Sequence, residues 1–438
     1  MKLSRYNYII EQDNKTYWFN ALTYNYFSLN RELSRKIEKS LKLDYDIIKN
    51  NSPIFFNKLL NNGFMINKNI NELKVIRNNN RIAIEAKYYF LIILPTLNCN
   101  FACWYCVQDH IATKMDEATI NKIKAHIKRS VEVDKIEHLH LEWFGGEPFM
   151  YFNEIIEPIS EYAMSICKKN SIPFANTATT NGYFLSEDIH SKLLKFNFTH
   201  FQITLDGIRE QHNKVKVSQE GKSAFDVTLN NINTLLSNSS EIHITLRINY
   251  TSDNLGIQIA DEINEIIFPE NRYKINLLIR KVWQENVDCS RSTKIKDLIS
   301  KFMEYGYNIS PFDIQMNFRS CYTDKKWYNA INYNGYIVKC TANNDLYRSK
   351  PLGELHDDGS IQWEDGFEEK YYKVRFENKH CLACKHLPLC MGRCGRDYNK
   401  EKEITFQCKA NESDQNFEET IMNYIKSQEN LKTKIEIQ

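Results

Sequence analysis

The sequence predicts an α/β chain: a partial (β/α)6 barrel, preceded by a small α+β unit over residues 1–87 and followed by a cysteine-rich domain. Three observations carry this expectation. From residue 88, six strand-like runs at about 89–94, 138–144, 175–180, 200–205, 243–250 and 274–281 alternate with helix-length segments at 116–130, 153–169, 186–196, 224–237 and 255–267. Repeated βα units imply a parallel sheet covered by helices. Several of these runs also alternate polar with aliphatic residues: His138, His140 and Glu142 against Leu139, Leu141 and Trp143, or Gln202 and Thr204 against Ile203 and Leu205. Strands of a fully packed parallel sheet read as continuous apolar runs, so the alternation points to a polar lumen. Finally, seven of the twelve cysteines fall after residue 320.

Composition narrows the function classes. A formal charge of +2 and a pI near 7.9 give no bias toward nucleic acid or membrane. The first ninety residues are locally basic (Arg31, Arg35, Lys36, Lys39, Lys42), which reads as a solvated helix face or a surface for an acidic partner. Residues 1–6 lack the apolar core of a signal peptide and no run approaches the length of a membrane span, so a cytoplasmic location is expected. Without an export signal, twelve cysteines favour metal sites over disulfides.

In chain order, 6–11 and 16–20 flank Gln12-Asp13-Asn14-Lys15 as a hairpin, while 29–43 and 54–60 read as helices, the second ended by Asn61-Asn62-Gly63. A hairpin with short helices fits a winged-helix-like module or a structural extension over the barrel's edge. Within the barrel, functional groups are expected at the C-terminal ends of strands. The loop after the first strand carries Cys99, Cys103 and Cys106 in a C-x3-C-x2-C pattern. Three thiolates suit three corners of an iron-sulfur cubane with one iron left open; with His110 they would equally complete a Cys3His zinc set. Gly145-Gly146-Glu147-Pro148 follows the second strand, where two glycines admit a close backbone approach to a ligand and the Glu can accept from an ammonium. Thr180-Asn181-Gly182 and Asp206-Gly207 end the third and fourth strands as turns. Cys167, on an expected helix, reads as a packed thiol. Residues 286–320, with Cys289 and a helix-like 294–307, form a bridge to the cysteine field Cys321, Cys340, Cys381, Cys384, Cys390, Cys394 and Cys408, and 411–438 form a helical tail. A C-x2-C-x5-C-x3-C run by itself suits zinc or iron-sulfur chemistry.

C-x3-C-x2-C with Tyr105 just before the last cysteine resembles the signature of the radical S-adenosylmethionine (SAM) enzymes. The resemblance implies that Cys99, Cys103 and Cys106 bind a [4Fe-4S] cluster whose open iron chelates SAM, and that reductive cleavage of SAM releases a 5'-deoxyadenosyl radical. It implies a cofactor-binding set of Tyr105, Gly145, Gly146, Glu147, Pro148, Asn181, Thr204 and Lys216. The familiar residue at the last position is Arg, and Lys makes no planar bidentate fork. The seven later cysteines resemble the SPASM domain of radical SAM enzymes that act on ribosomally made peptides or proteins. That resemblance implies two auxiliary [4Fe-4S] clusters, one held by Cys381, Cys384, Cys390 and Cys408 and the other by Cys321, Cys340 and Cys394. Relatives with a complete second set carry another cysteine just upstream of the Cys321 position; here Cys289, a non-cysteine ligand or an open iron takes its place.

The function implied is a maturase that oxidatively modifies a precursor peptide or protein, with thioether or other crosslinks as products and a flavodoxin or ferredoxin as electron donor. Residues 1–87 would then hold the precursor's leader. Two alternatives stand beside it. Anaerobic sulfatase maturation uses the same architecture, but in that subgroup an Asp directly follows the cysteine matching Cys340, and here Thr341 does. A non-catalytic zinc scaffold accounts for the cysteines but not for the Gly-Gly-Glu-Pro turn or the polar lumen.

Overall fold

The computed structural model describes residues 1–43, 45–108, 110–286, 293–309, 321–342, 351–368, 375–392, 417–422, 424–426 and 428–429. The chain divides into two compact units: Met1–Ala86 with Pro311–Lys325 and Glu368–Gln438, and Lys87–Ser310 with Lys326–Phe367. Among the described residues no helix is long and apolar enough to cross a membrane.

The first unit begins with β1 (Lys2–Leu3), β2 (Asn7–Gln12), β3 (Lys15–Asn20) and β4 (Tyr26–Asn30), followed by α1 (Arg31–Leu43), α2 (Tyr45–Asn51), α3 (Pro53–Asn61), β5 (Met65–Ile66) and α4 (Glu72–Glu85). Strands β2, β3 and β4 form an antiparallel sheet, and β1 pairs with β5. The β2–β3 turn places Asp13 and Asn14 at positive φ, the pattern of a tight two-residue hairpin. Fully buried Trp18 donates from Nε1 to Ser34 Oγ at 2.9 Å, tying the sheet to α1. Several elements went unforeseen, the short β1 and α2 among them. Strand β4 takes residues 29–30 from the expected helix, and α4, capped by Asn71, lies where the sequence suggested no element.

The core of this unit is built from both ends of the chain. Tyr6, Tyr8, Phe19 and Ile76 pack with Phe376, Leu387, Leu389, Ile421, Met422 and Ile425. The guanidinium of Arg77 on α4 grips Glu377 at 2.5 and 2.8 Å, and Tyr8 OH meets His386 Nδ1 at 2.6 Å. The N-terminal and cysteine-rich segments, read as separate modules along the sequence, therefore share one core.

The second unit carries β6 (Tyr88–Ile93), α5 (Glu117–Glu132), β7 (His138–Trp143), α6 (Glu157–Lys169), β8 (Phe174–Thr180), α7 (His190–Lys195), β9 (Phe198–Leu205), α8 (Arg209–Val215), α9 (Ala224–Ser237), β10 (His243–Tyr250), α10 (Gln258–Ile266), β11 (Ile275–Lys281), α11 (Thr293–Glu304) and β12 (Asn308–Ile309). After these come β13 (Tyr328–Ile331), β14 (Tyr336–Val338), β15 (Gly353–Leu355) and β16 (Ile361–Trp363). Strands β6 to β11 are parallel neighbours in chain order, the six strands of the expected partial barrel. The sheet continues further than expected: β13 joins β6 in parallel, β14 to β16 extend it antiparallel, and β12 adds to β11, giving eleven strands.

The alternation read in the sequence sorts the two faces. Leu139, Leu141 and Trp143 of β7 are fully buried with Ile123 and Ile127 of α5 and Ile159 of α6 in the helix-covered core. His140, Glu142, Thr177, Gln202, Thr204 and Arg247 take the opposite face, toward the lumen. One wall of that lumen is apolar, with the Phe90 ring stacked on Tyr328 at 5.5 Å. A buried relay fastens the added strands: Asn329 donates to Tyr89 OH at 2.8 Å, Tyr89 OH meets His126 Nε2 at 2.5 Å, and His126 Nδ1 meets Gly359 O at 2.7 Å.

Candidate functional site

The loop after β6 carries the three clustered thiols, and its backbone is fixed before any ligand arrives. Leu97 N donates to Thr113 Oγ1 at 2.8 Å, Asn98 N to Thr96 Oγ1 at 2.8 Å, and Cys106 N to Cys103 O at 3.0 Å. Leu97 and Phe101 are buried as anchors, while Cys99 and Cys103 are partly buried and Cys106 is exposed. Burial pushes the Cys99 thiol up to about 12, with Glu147 adding to the effect. A thiolate there requires a compensating positive charge, which iron of a cluster provides. Among the described residues no three His, Cys, Asp or Glu side chains converge on one metal ion. In a cubane the three thiolates would each take a different iron, so the donor set fits a cluster.

The Gly145-Gly146 turn after β7 holds this loop from below. Gly146 N donates to Thr96 O at 3.1 Å and Glu147 N to Asn98 O at 2.8 Å. A Cβ on Gly146 would lie 2.0 Å from Asn98 O, and one on Gly145, whose φ is +133°, would lie 2.4 Å from Thr96 O. The glycines are thus required by the approach of the cysteine loop's own backbone, a use the sequence reading assigned to a ligand.

Glu147, expected to accept from an ammonium, is engaged here by the protein's own donors. Its carboxylate faces inward and accepts from Phe149 N at 3.0 Å, Thr180 Oγ1 at 2.7 Å and Asn181 N at 2.8 Å. Glu147 is wholly buried and Pro148 is buried beside it, while Gly145 and Gly146 are partly exposed. Burial raises the Glu147 carboxyl to about 7. Its work is to lock β7 to β8 and so place Asn181, which donates from Nδ2 to Asn100 Oδ1 at 2.7 Å and reaches Cys99 Sγ at 3.9 Å.

Across the mouth, Tyr105 OH donates to Asp206 Oδ1 at 2.5 Å, and the ammonium of Lys216 bonds Asp206 Oδ2 and reaches Thr204 O at 3.2 Å. Lys216 and Asp206 are about as buried as core residues, with 3% and 2% exposure. Lys216, expected to help hold SAM, is paired with Asp206 in this structure. Asp206, read as a turn residue, is the centre of the arrangement, and the Asp-Gly at a strand end was its only signal. Thr204 is partly exposed on the lumen face.

Deeper in the lumen, His140 Nε2 meets Thr177 Oγ1 at 2.7 Å, Thr177 donates to Glu142 Oε2, and Thr179 Oγ1 donates to Glu142 Oε1 at 2.9 Å. Since the Thr177 hydroxyl donates to Glu142, His140 is the donor to it and is neutral with its proton on Nε2. Burial raises the Glu142 carboxyl and, with His138 and His200 nearby, holds His140 down at about 4. The unfolded chain therefore takes up a proton at His140 that the fold does not, and this share of stability falls as pH drops from about 6.5 toward 4. His140→Asn is expected to lower the fall in melting temperature between pH 7 and pH 5, read by anaerobic circular dichroism.

Of the later cysteines, Cys381 lies within α12 (Lys379–Ala383), Cys384 caps its C-terminus, and Cys390 ends α13 (Leu387–Cys390). Cys381 N donates to Asn378 Oδ1 at 2.9 Å, His386 N to Cys384 Sγ at 3.3 Å, and Arg5 Nη2 to Leu382 O at 2.6 Å. These three cysteines and Cys321 belong to the first unit, and Cys340, after β14, to the second. Cys289, Cys394 and Cys408 lie outside the described residues.

Parallel strands with a three-thiol loop at their C-terminal end define a cluster-binding barrel. Residues 93–266 match the radical SAM superfamily, and the chain carries a radical SAM domain. Among its relatives, the cysteine-type anaerobic sulfatase-maturating enzyme of Clostridium novyi is 26% identical over 169 residues, covering 36% of this chain and 43% of that protein. The radical SAM cyclopropyl synthase TigE of Paramaledivibacter caminithermalis is 21% identical over 355 residues, covering 73% and 70%. The chain thus spans less than half of the first relative. Similar solved structures are anSMEcpe with bound AdoMet (TM-score 0.55, 18% identity, 79% of this chain and 99% of that one) and Streptococcus suis SuiB bound to precursor peptide SuiA (TM-score 0.51, 14% identity, 92% and 97%).

Proposed function

We propose that this protein is a radical SAM maturase acting on a ribosomally made peptide or protein. The observation that carries the reading is the Cys99–Cys106 loop, wedged by Gly145 and Gly146 and set over a polar lumen. When bound at Cys99, Cys103 and Cys106, a reduced [4Fe-4S] cluster supplies the electron that cleaves SAM to a 5'-deoxyadenosyl radical able to take a hydrogen from the substrate. The chain's own residues do the rest. The Gly145-Gly146 backbone and Asn181 fix the cluster loop, the Tyr105–Asp206–Lys216 set holds the aromatic ring of that loop, and the lumen wall orients the substrate and excludes water.

The finer parts of the reading rest on the cysteine pattern and on the relatives. Cys381, Cys384, Cys390 and Cys408 would hold one auxiliary [4Fe-4S] cluster, and Cys321, Cys340 and Cys394 a second that passes electrons outward to or from a flavodoxin or ferredoxin. Streptococcus suis SuiB has been solved with its precursor peptide, which supports a peptide substrate here. Residues 1–86 are a candidate leader-binding surface, because among the described residues β4 pairs with β3 alone and an open strand edge accepts a further strand. Since residues 1–86 share a core with the cysteine-rich end, deleting them would test folding before it tested binding. Hydrogen exchange at Tyr26–Asn30 with and without a candidate precursor is the cleaner measurement; unchanged exchange on binding would remove this role.

The test of the main reading is anaerobic reconstitution with dithionite and SAM. Wild type is expected to form 5'-deoxyadenosine. The Cys99→Ala/Cys103→Ala/Cys106→Ala variant is expected to form none and to lose roughly one cubane's iron and sulfide while keeping the remainder. Zinc in place of iron and sulfide in the wild type would instead support the scaffold reading. The similarity to the Clostridium novyi enzyme favours one alternative substrate, a sulfatase peptide oxidised to formylglycine. Against it, Thr341 follows Cys340. Formylglycine in a sulfatase-motif peptide after turnover would decide for that substrate.

A further inference from the structure

The lumen wall holds a carboxylate and several histidines that the proposed chemistry does not use, and the strand register draws them into one row. Glu142 of β7 is the partner of Thr177 on β8, Thr177 is the partner of His200 on β9, and His200 is the partner of His243 on β10. Partners across a sheet share a face, so all four belong to the lumen side. The row runs obliquely, as tilted barrel strands require: it takes the fifth residue of β7, the fourth of β8, the third of β9 and the first of β10. Its inner end, Glu142, lies three residues before Gly145 of the turn under the cysteine loop. Its outer end, His243, is exposed at the foot of β10.

The row exists because β9 is irregular. Asn176 meets Phe198 but Thr177 meets His200, so Thr199 is an extra residue. Bulges are rare in parallel pairs and re-aim side chains beside functional sites. This one lets Phe198 and Phe201 both enter the core, stacked at 5.5 Å, and turns His200 to the lumen; without it Thr199 would stand opposite Thr177. Hydrogen bonds run along the row: His140 Nε2 donates to Thr177, Thr177 donates to Glu142, and His200 Nε2 meets Thr245 Oγ1 at 2.8 Å. Thr177 therefore touches the His140 ring while standing opposite His200. Burial strengthens the hold of the Glu142 carboxyl on a proton. Burial, with His243 nearby, keeps His200 below the usual imidazole range, and His140 is held at about 4. The remaining charged groups of this wall are His138, beside His140 on β7, and Asp206, Lys216 and Arg247, further toward the mouth.

We propose that this row is a proton conduit: Glu142 accepts the proton that the substrate loses, and Thr177 and the histidines carry it to solvent at the foot of β10. The conduit deepens the maturase reading and rests on it for the source of the proton. When a substrate carbon radical bonds to a sulfur, nitrogen or carbon atom that carried hydrogen, one bond to that atom forms and its bond to hydrogen breaks. The proton goes to the Glu142 carboxylate and one electron goes to an iron-sulfur cluster. An acceptor that takes a proton readily, followed by imidazoles that do not keep it, gives the transfer its outward direction. Water carries the steps where side chains do not meet, at nearly the enthalpy of a direct hydrogen bond. Exit through the foot of the barrel lets its mouth stay closed to bulk water while a radical is present.

The experiment uses full-length reconstituted protein, cluster oxidised and SAM bound, and reads the infrared band of protonated carboxyl groups. The band that grows as pH falls and is missing from Glu142→Gln belongs to Glu142, and its midpoint is expected above the ordinary Glu value of about 4.3. At that midpoint the protein is mixed into D2O, and the rate at which the band shifts reports proton exchange between Glu142 and solvent. His200→Ala is expected to slow the exchange at least about tenfold, and added imidazole to restore most of the rate in this variant while leaving wild type unchanged. A histidine with a merely structural role gives no such rescue. If His200→Ala does not fold, His200→Gln, which can still bond Thr245 but does not titrate, is expected to show the same slowing, and its rate alone decides. The conduit is overturned by exchange within about twofold of wild type in the variant measured, by slowing in His200→Ala that imidazole does not relieve, or by the absence of a Glu142-dependent band. Formation of 5'-deoxyadenosine by wild type with dithionite reports on the enzyme reading separately, so an active wild type whose exchange ignores His200 refutes the conduit alone.

Discussion

Gly146→Ala is expected to give protein that cannot load its radical cluster. The new Cβ would sit 2.0 Å from Asn98 O, 2.5 Å from Asn98 C and 2.7 Å from Leu97 O, all backbone atoms of the loop that presents Cys99. No side-chain rotation relieves such a clash, so the loop must lift away from the turn after β7. Two hydrogen bonds would break with it, Gly146 N to Thr96 O and Glu147 N to Asn98 O. A displacement near 1 Å at a reacting centre already costs about 100-fold in rate. We expect SAM cleavage to fall by at least about that factor, with roughly one cubane's iron missing relative to wild type. Cleavage within about threefold of wild type would show that the loop tolerates the shift.

The second large effect is expected at Lys216. Lys216→Met leaves the Asp206 carboxylate almost wholly buried with Tyr105 as its remaining side-chain hydrogen-bond donor and Arg247 as a more distant charge. Removing one member of a buried ion pair destabilises by about 3–5 kcal/mol, because the other charge stays out of water without compensation. The measurement is denaturant unfolding under anaerobic conditions. The double variant Asp206→Asn/Lys216→Met should recover much of the loss, since both charges are then absent. A single variant as stable as wild type would mean that Asp206 finds water or another cation when Lys216 is gone.

Much of the barrel was legible in the sequence because its strands are regular and long. The two-residue alternation in 138–143 and 243–249 assigned each side chain to the helix side or the lumen side before any coordinates. The three thiols were equally legible, since their spacing is local. What escaped was non-local or irregular. Tyr328–Ile331 is buried at every position, so β13 shows no alternation and only its pairing with β6 reveals it. Helix α4 contains Asn78-Asn79-Asn80, residues of modest helix propensity, and is held by packing through Ile76 and the grip of Arg77 on Glu377. The bond between Lys216 and Asp206 depends on α8 returning over the end of β9, which spacing along the chain does not report. The inward turn of Glu147 was hidden for the same reason: its partners lie on β8 and the residue after it.

The shared core of the first unit also fixes an order of events during synthesis. Tyr6, Tyr8, Phe19 and Ile76 leave the ribosome early but must wait for Phe376, Leu387 and Ile421 before they are covered. At roughly 5–20 residues per second, that interval lasts tens of seconds. The barrel, whose strands pair with their immediate successors, can close meanwhile. An aromatic surface is thus held open through most of translation, a natural stretch for a chaperone to shield. On the proposed reading, auxiliary-cluster assembly in the cysteine-rich segment would come last in maturation, after the two ends of the chain have met.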